Sequence, residues 1–269
     1  MKLLEALEGA RIYDLAQPLT PATPIAPTHV PFRMALLRRH GDVVREDGSS
    51  SANELISLSG HTGTHVDAIA HFSKAGKLHG GVDAVEASRG GAGFTQLGVD
   101  KMEPIVCRGV LLDVPRAHGR ESWGPGERIQ AEHLEETCRQ QGVEVRAGDA
   151  VLVRTGWPVG RFDDPVAFLG FESGVPGPDE SAARWLAERR IRATGSDTIP
   201  YEWHAPGAGL TRLPVHVLML VDHGIHLIEV MRLEDLARDR VYEFVFIAAP
   251  LPMAGATGSP VRPLAIAGA

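Results

Sequence analysis

The chain has 269 residues, 43% hydrophobic and 23% charged, a balance that belongs to a folded globular protein and excludes a disordered, collagen-like or low-complexity polymer. Its formal net charge is -7 and no Lys/Arg run exceeds the pairs Arg38-Arg39 and Arg189-Arg190, so nothing in it suits nucleic acid or anionic lipid. Glu5 and Glu8 interrupt the apolar stretch a signal peptide needs, and no window nears the ~20 apolar residues of a membrane span, so the chain is expected to be cytoplasmic, with Cys107 and Cys138 reduced.

No solenoid-period repeat and no linker divides the sequence, which predicts one domain over residues 1–269. Alternating apolar residues over Phe32 to Leu37 and around Leu55 to Ser59 predict two half-buried strands. Gly109 to Val114 and Ala150 to Arg154 are short apolar runs bounded by Gly, Pro or charge, the pattern of central buried strands. Amphipathic helices are expected over Ile129 to Gln141 and Asp179 to Arg190, the second opening on Pro178 and acids and closing on Arg. A strand over Ile191 to Gly195 then precedes a Pro/Gly-rich loop, Ile199 to Gly209, of the kind that lines sites. A helix from Pro214 to His223 stopping at Gly224, a strand from Ile225 to Val230 and a last strand from Tyr242 to Ala248 complete a mixed α/β domain. Arg89 to Gly98 and Phe162 to Pro178 show no period and are expected to be irregular.

Residues 60 to 72 read GHTGTHVDAIAHF, which places His61, His65, Asp67 and His71 within eleven positions directly after a strand. Imidazole nitrogens and carboxylate oxygens suit Zn, Mn or Fe when several converge at ~2.0–2.2 Å from one point. Either one helical turn or a tight loop at Gly63 brings His61 and His65 to the same side, and Asp67 reaches in from the next turn with two oxygens able to bridge two ions. Gly60 and Gly63 permit close backbone approach, and Thr62 and Thr64 offer hydroxyls to hold the ligands. The alternative is a set of surface or core histidines without a ligand. A chain of this composition would show three His and one acid at four fixed positions by chance only about three times in a thousand.

The string HTGTHVDAIAHF resembles the signature HxGTHxDxPxH of the cyclase family, which includes bacterial kynurenine formamidases, isatin hydrolases and related metal-dependent amidohydrolases. Further similarity lies in Tyr13-Asp14-Leu15, Pro18-Leu19, Thr23-Pro24, the run Val151 to Trp157, Gly195-Ser196-Asp197-Thr198, and the segment from His216 to Glu229. The resemblance implies an α/β fold of the swivelling β/β/α type with a mixed sheet, and a homodimer or higher homo-oligomer. It also implies that His61, His65 and Asp67 hold a first metal, that Asp67, His216 and Glu229 hold a second in binuclear members, and that His71 is the general acid/base. One or two ions per chain, Zn or Mn, fit that pattern. A bound cation would acidify water and polarise a carbonyl, and His71, titrating near neutrality, would carry the proton to the leaving atom.

Two positions depart from the family. Ile69 replaces the signature proline, which ligates nothing. Ala26, in Thr23-Pro24-Ile25-Ala26-Pro27-Thr28-His29, stands where the kynurenine formamidases carry a tryptophan lining the substrate pocket, which alters the pocket and argues against formylkynurenine. Trp157 and His204 are candidate substrate contacts beside Ala26, with core packing as their alternative. His223 and His226 are weaker candidates than His216, Asp197 is a ligand-supporting or turn residue, and His29, His40, His79, His118 and His133 have no informative spacing. A carboxylate at Glu229 between Ile228 and Val230 is costly to bury without a cation or base beside it, which favours a ligand.

The expected activity is therefore cleavage of the C–N bond of a cyclic amide or aryl formamide, on a small molecule and not a nucleic acid or membrane. Lactone hydrolysis or dehydrating cyclisation on the same metal site is the nearest alternative, and a non-catalytic small-molecule or metal-binding protein the more distant one.

Overall fold

The computed structural model describes residues 8–268, so Glu5 lies outside the described residues. In chain order the strands are β1 (Arg11–Asp14), β2 (Arg33–Arg38), β3 (Asn53–Ser57), β4 (His65–Asp67), β5 (Ile105–Asp113), β6 (Arg128–Ile129), β7 (Ala150–Arg154), β8 (Gly177–Pro178), β9 (Ala193–Ser196), β10 (His226–Glu229), β11 (Glu243–Ala248), β12 (Gly258–Pro260) and β13 (Leu264–Ala267). Nine of them form one mixed sheet in the order β1-β13-β11-β5-β7-β9-β10-β4-β12. The central strands β5, β7, β9 and β10 run parallel, and antiparallel strands flank them on both sides.

The centre is parallel and both its faces are covered, so β7 is apolar from Ala150 to Val153 and buried at all five positions, Arg154 at its end being paired with Asp113 and Glu234. Successive side chains point to opposite faces, so Val110, Leu112, Val151 and Val153 pack under the helices Ala131–Gln141 and Glu180–Glu188 with Leu134 and Leu186. Leu111 and Leu152 face the other way, into a core shared with Tyr13, Val66, Ile228, Leu236 and Phe246. That cluster draws on strands at opposite ends of the order, so the sheet curls around it. The curl is pinned where Ala16 bridges Met231 and Arg232 N donates to Leu15 O at 2.9 Å.

The two helices have the ends their sequences predict. Asp179 caps Glu180–Glu188 by accepting from Ser181 N and Ala182 N, and Gly142 closes Ala131–Gln141 at φ 68°.

Four expectations are corrected. The antiparallel pair β2–β3 exists, but it is not half-buried: Met34, Leu36, Leu37, Leu55 and Ile56 are all exposed, because the ribbon stands apart from the main sheet and none of the described residues covers either face. Tyr242 to Ala248 does not hold the last strand, since β12 and β13 follow; both are short and flanked by prolines, so they carry no readable alternation. The stretch Phe162 to Pro178 contains a one-turn helix, Pro165–Leu169, capped by Asp164 and closed by Gly170, signals too short to show a period. The helix opening at Pro214 is α-helical only through His216 and continues as a π-helix over Val217–Asp222, ending before Gly224 at φ 65°.

Candidate metal centre

The motif is built on a tight loop and a strand, not on a helix. Gly63 has φ 62°, and a Cβ there would lie 2.4 Å from a Leu19 methyl, so the turn requires glycine. Thr64 Oγ1 donates to Val230 O at 2.6 Å and accepts from Gln17 N at 2.8 Å, which ties the loop to two neighbouring segments and not to the ligands themselves. The chain then enters β4, where His65 and Asp67 share a face and Val66 points into the core on the other. Glu229 of β10 lies opposite His65 in the antiparallel register, so its carboxylate is on the same face. On the other side of β4, Gly258 stands opposite Asp67, and a Cβ there would collide with the His61 ring at 2.5 Å.

Four side chains meet at the centre of this face, all buried. His65 Nδ1 donates to Gly63 O at 2.8 Å, which fixes the tautomer and leaves Nε2 bare. That Nε2 lies 3.5 Å from Asp67 Oδ1 and 3.5 Å from Glu229 Oε2. His216 Nε2 lies 3.6 Å from Asp67 Oδ2 and 3.2 Å from Glu229 Oε1. Asp67 Oδ2 is buried without a hydrogen-bond partner. Ligands held at ~2.1 Å in a tetrahedral shell sit ~3.4 Å from one another, a spacing that the His65–Asp67 and His216–Asp67 separations match, while Glu229 lies beside the two histidines.

His61 joins through Nδ1, 2.8 Å from Asp67 Oδ1, and its Nε2 meets Thr257 Oγ1 at 3.0 Å. Ligand atoms of His61, His65 and Asp67 all lie within 4.8 Å of one another, and so do those of Asp67, His71 and His216. His71 lies at the edge of the cluster, its ring 4.0 Å from that of His61 and 6.2 Å from that of His216.

The electrostatics follow from the packing. Burial works against both ions of the central pair, yet His71, His216 and His61 hold the Asp67 carboxyl well below the usual carboxylate range. Asp67, Glu202 and Glu229 likewise overcome burial and lift the His216 imidazole well above its ordinary value. Burial takes His71 in the other direction, down to about 3, aided by the neighbouring imidazoles and opposed by Asp67. The packing thus favours the neutral imidazole of His71 over its charged form, in place of the near-neutral titration expected from the sequence.

Three residues reach the cluster without a signal having been read for them. Glu202 Oε1 accepts from His216 Nδ1 at 2.7 Å and His216 N at 2.8 Å, and Oε2 accepts from Val215 N at 3.0 Å. It thereby aims His216 Nε2 at Asp67 and Glu229, as a carboxylate behind a metal-ligating histidine does. The signal was available, since an acid between Tyr201 and Trp203 calls for the same buried-charge argument as Glu229. His29 places its ring 5.4 Å from that of His61, on a turn where His29 N donates to Ala26 O at 2.9 Å, and Thr257 reaches His61 from a distant loop.

The remaining candidates lie elsewhere. Trp157 is 1% exposed, with Nε1 donating to Phe168 O at 2.7 Å, so it is a core residue with no surface for a substrate. Ala26 is buried and shapes the turn that presents His29. His204 is buried beside a separate cavity behind Glu202. His226 Nδ1 donates to Asp67 O at 2.9 Å, while His223 is exposed. Asp197 accepts from Thr155 N, Thr155 Oγ1 and Gly156 N, joining the ends of β7 and β9; burial pushes its carboxyl up to about 6 against those bonds.

Comparison with known proteins agrees with this geometry. Residues 13–202 match the family model described as "Putative cyclase". The chain is 27% identical over 224 residues to an isatin hydrolase of Roseibium aggregatum, covering 82% of this chain and 76% of that one. It is 30% identical over 249 residues to a kynurenine formamidase of Bacillus cereus, covering 93% and 94%. A crystal structure described as a novel cyclase superposes with a TM-score of 0.86 at 29% identity, covering 97% of this chain and 90% of its own.

Proposed function

The chain belongs to the cyclase family, and from that membership we propose that it is a metal-dependent hydrolase cleaving the C–N bond of a cyclic amide or an aryl formamide. The observation that carries the reading is the grouping of buried ligand atoms on Asp67, with His61 and His65 on one side of it and His216, 3.6 Å from its unpartnered Oδ2, on the other. Isatin hydrolase and kynurenine formamidase, the names of two relatives, both describe cleavage of such a bond.

In this proposal His61, His65 and Asp67 hold one Zn or Mn ion, and Asp67, His216 and Glu229 hold a second where two are bound. A cation bound there would supply a water acidic enough to attack at neutral pH and an electrophile for the carbonyl oxygen. Glu202 and the Gly63 carbonyl fix which nitrogen His216 and His65 present. In this reading His71, whose ring lies 4.0 Å from that of His61, takes the proton that the attacking water loses and returns it to the leaving nitrogen, giving a carboxylate and an amine. Ala26, on the turn that carries His29 towards His61, stands in place of a large indole, which argues for a substrate other than formylkynurenine.

The chain is further proposed to be cytoplasmic and homo-oligomeric. Free Cys107 and Cys138 support the first, and the uncovered apolar ribbon β2–β3 supports the second. No helix among the described residues is long and apolar enough to cross a membrane.

The test is hydrolysis of isatin, N-formylkynurenine and simple lactones before and after chelation. Chelator-sensitive opening of an amide, restored by Zn or Mn, is the expected result. Turnover of lactones alone would move the activity to C–O bonds, and no turnover with any metal would overturn the hydrolase reading.

A further inference from the structure

Tyr201 directly precedes Glu202, and it is wholly buried with each of its polar groups engaged. Its backbone N–H donates to Glu229 Oε1 at 2.7 Å, and the Ser196 and Thr198 hydroxyls, 2.8 Å from each other, both lie 3.5 Å from its carbonyl oxygen. The phenol oxygen lies 2.8 Å from Thr194 Oγ1 on the central strand β9. Thr194 spends its only proton on Val151 O at 2.8 Å, a carbonyl that can only accept, so the Tyr201 hydroxyl donates to Thr194.

Two successive residues of one loop therefore hold two neighbouring side chains of the centre. Tyr201 N holds Glu229, and Glu202 holds His216, whose Nε2 lies 3.2 Å from Glu229 Oε1. The other two histidines are held from elsewhere: His65 Nδ1 by the Gly63 carbonyl of its own loop, and His61 Nε2 by the Thr257 hydroxyl.

We infer that Tyr201 is a positioning residue, its ring a strut from β9 that sets Glu229 and His216 together and leaves His61 and His65 alone. The hydroxyl is the only polar atom of that side chain, so its bond to Thr194 is what fixes the depth of the ring and, through it, the main chain at Tyr201 and Glu202. That the pair so positioned serves a metal ion rests on the hydrolase reading; the strut itself does not.

The test is Tyr201→Phe, which keeps the ring in the core and leaves Thr194 donating to Val151 O, so no buried donor is orphaned and the fold is kept. In the full chain after chelation, proton NMR of isotope-labelled histidines reads the His216 Nδ1 proton, held against Glu202, apart from the His65 Nδ1 proton, held against Gly63 O. The first is assigned by its absence from His216→Gln. Tyr201→Phe is expected to shift the His216 signal and speed its exchange with water while the His65 signal stays in place. Titrated with Zn, the ion lost in His216→Ala is expected to bind about 2–10-fold more weakly in Tyr201→Phe, with the ion lost in His61→Ala unaffected. Thr194→Ser, which keeps the acceptor for Tyr201, is expected to behave as the native chain in both measurements. A His216 signal that does not respond, a His65 signal that responds equally, or the same loss in Thr194→Ser would overturn the inference. A chain that takes up no metal while its His216 signal still responds to Tyr201→Phe would overturn the hydrolase reading and leave the strut standing.

Discussion

The pairs β4–β10 and β2–β3 are both short antiparallel ladders, yet one is the most committed part of the molecule and the other the least. In β4–β10 each position has a fixed destination: Val66 and Ile228 enter the core, while His65, Asp67 and Glu229 face one another across the register. In β2–β3 the same period of two leaves Met34, Leu36, Leu55 and Ile56 in solvent. Alternation therefore reports which side chains share a face, and only the surroundings decide what that face meets. A two-stranded ribbon is marginal on its own, and in the proposed homo-oligomer β2–β3 is the surface a second copy would cover.

The comparison is broken most severely by removing the residue on which the β4–β10 face converges. Asp67→Ala is expected to abolish metal binding and to lower turnover by at least about a thousandfold, measured by elemental analysis and steady-state kinetics. His71→Ala separates catalysis from binding: turnover is expected to fall about 10²–10⁴-fold with metal content unchanged. Loss of metal in that variant would make His71 a ligand beside Asp67 and His216, an arrangement its position also permits.

Glu202→Gln leaves His216 in place but replaces its carboxylate acceptor, and a loss of about 10–100-fold in metal affinity is expected in a competition titration. The ribbon gives the smallest effect on the chain itself. Leu36→Glu with Ile56→Lys is expected to shift the assembly toward smaller species in sedimentation while changing the stability of the monomer by less than about 0.5 kcal/mol. An unchanged oligomer would place the interface elsewhere.

What the sequence revealed and what it hid follow from distance along the chain. His61, His65 and Asp67 were legible because seven residues of loop and strand carry them, and Gly63 marks the turn that brings them together. The central strands were legible because a parallel sheet covered on both faces reads as a continuous apolar run, as in Ala150 to Val153. Glu202 was hidden because its partner is fourteen positions away through a Pro/Gly loop, and only its burial among aromatic residues could have drawn notice. His29 and Thr257 reach His61 by tertiary routes that leave no local pattern. For Trp157 the core-packing alternative holds, since its indole is buried and its N–H is spent on Phe168 O.

The most direct test is the metal content of the purified protein, compared with that of Asp67→Ala. The account predicts one or two Zn or Mn ions per chain in the native sequence, removed by chelation, restored by adding the metal back, and absent from the variant. A native protein that holds no metal and takes up none on addition of Zn or Mn would contradict it, leaving the carboxylate and histidine cluster as a hydrogen-bonded core.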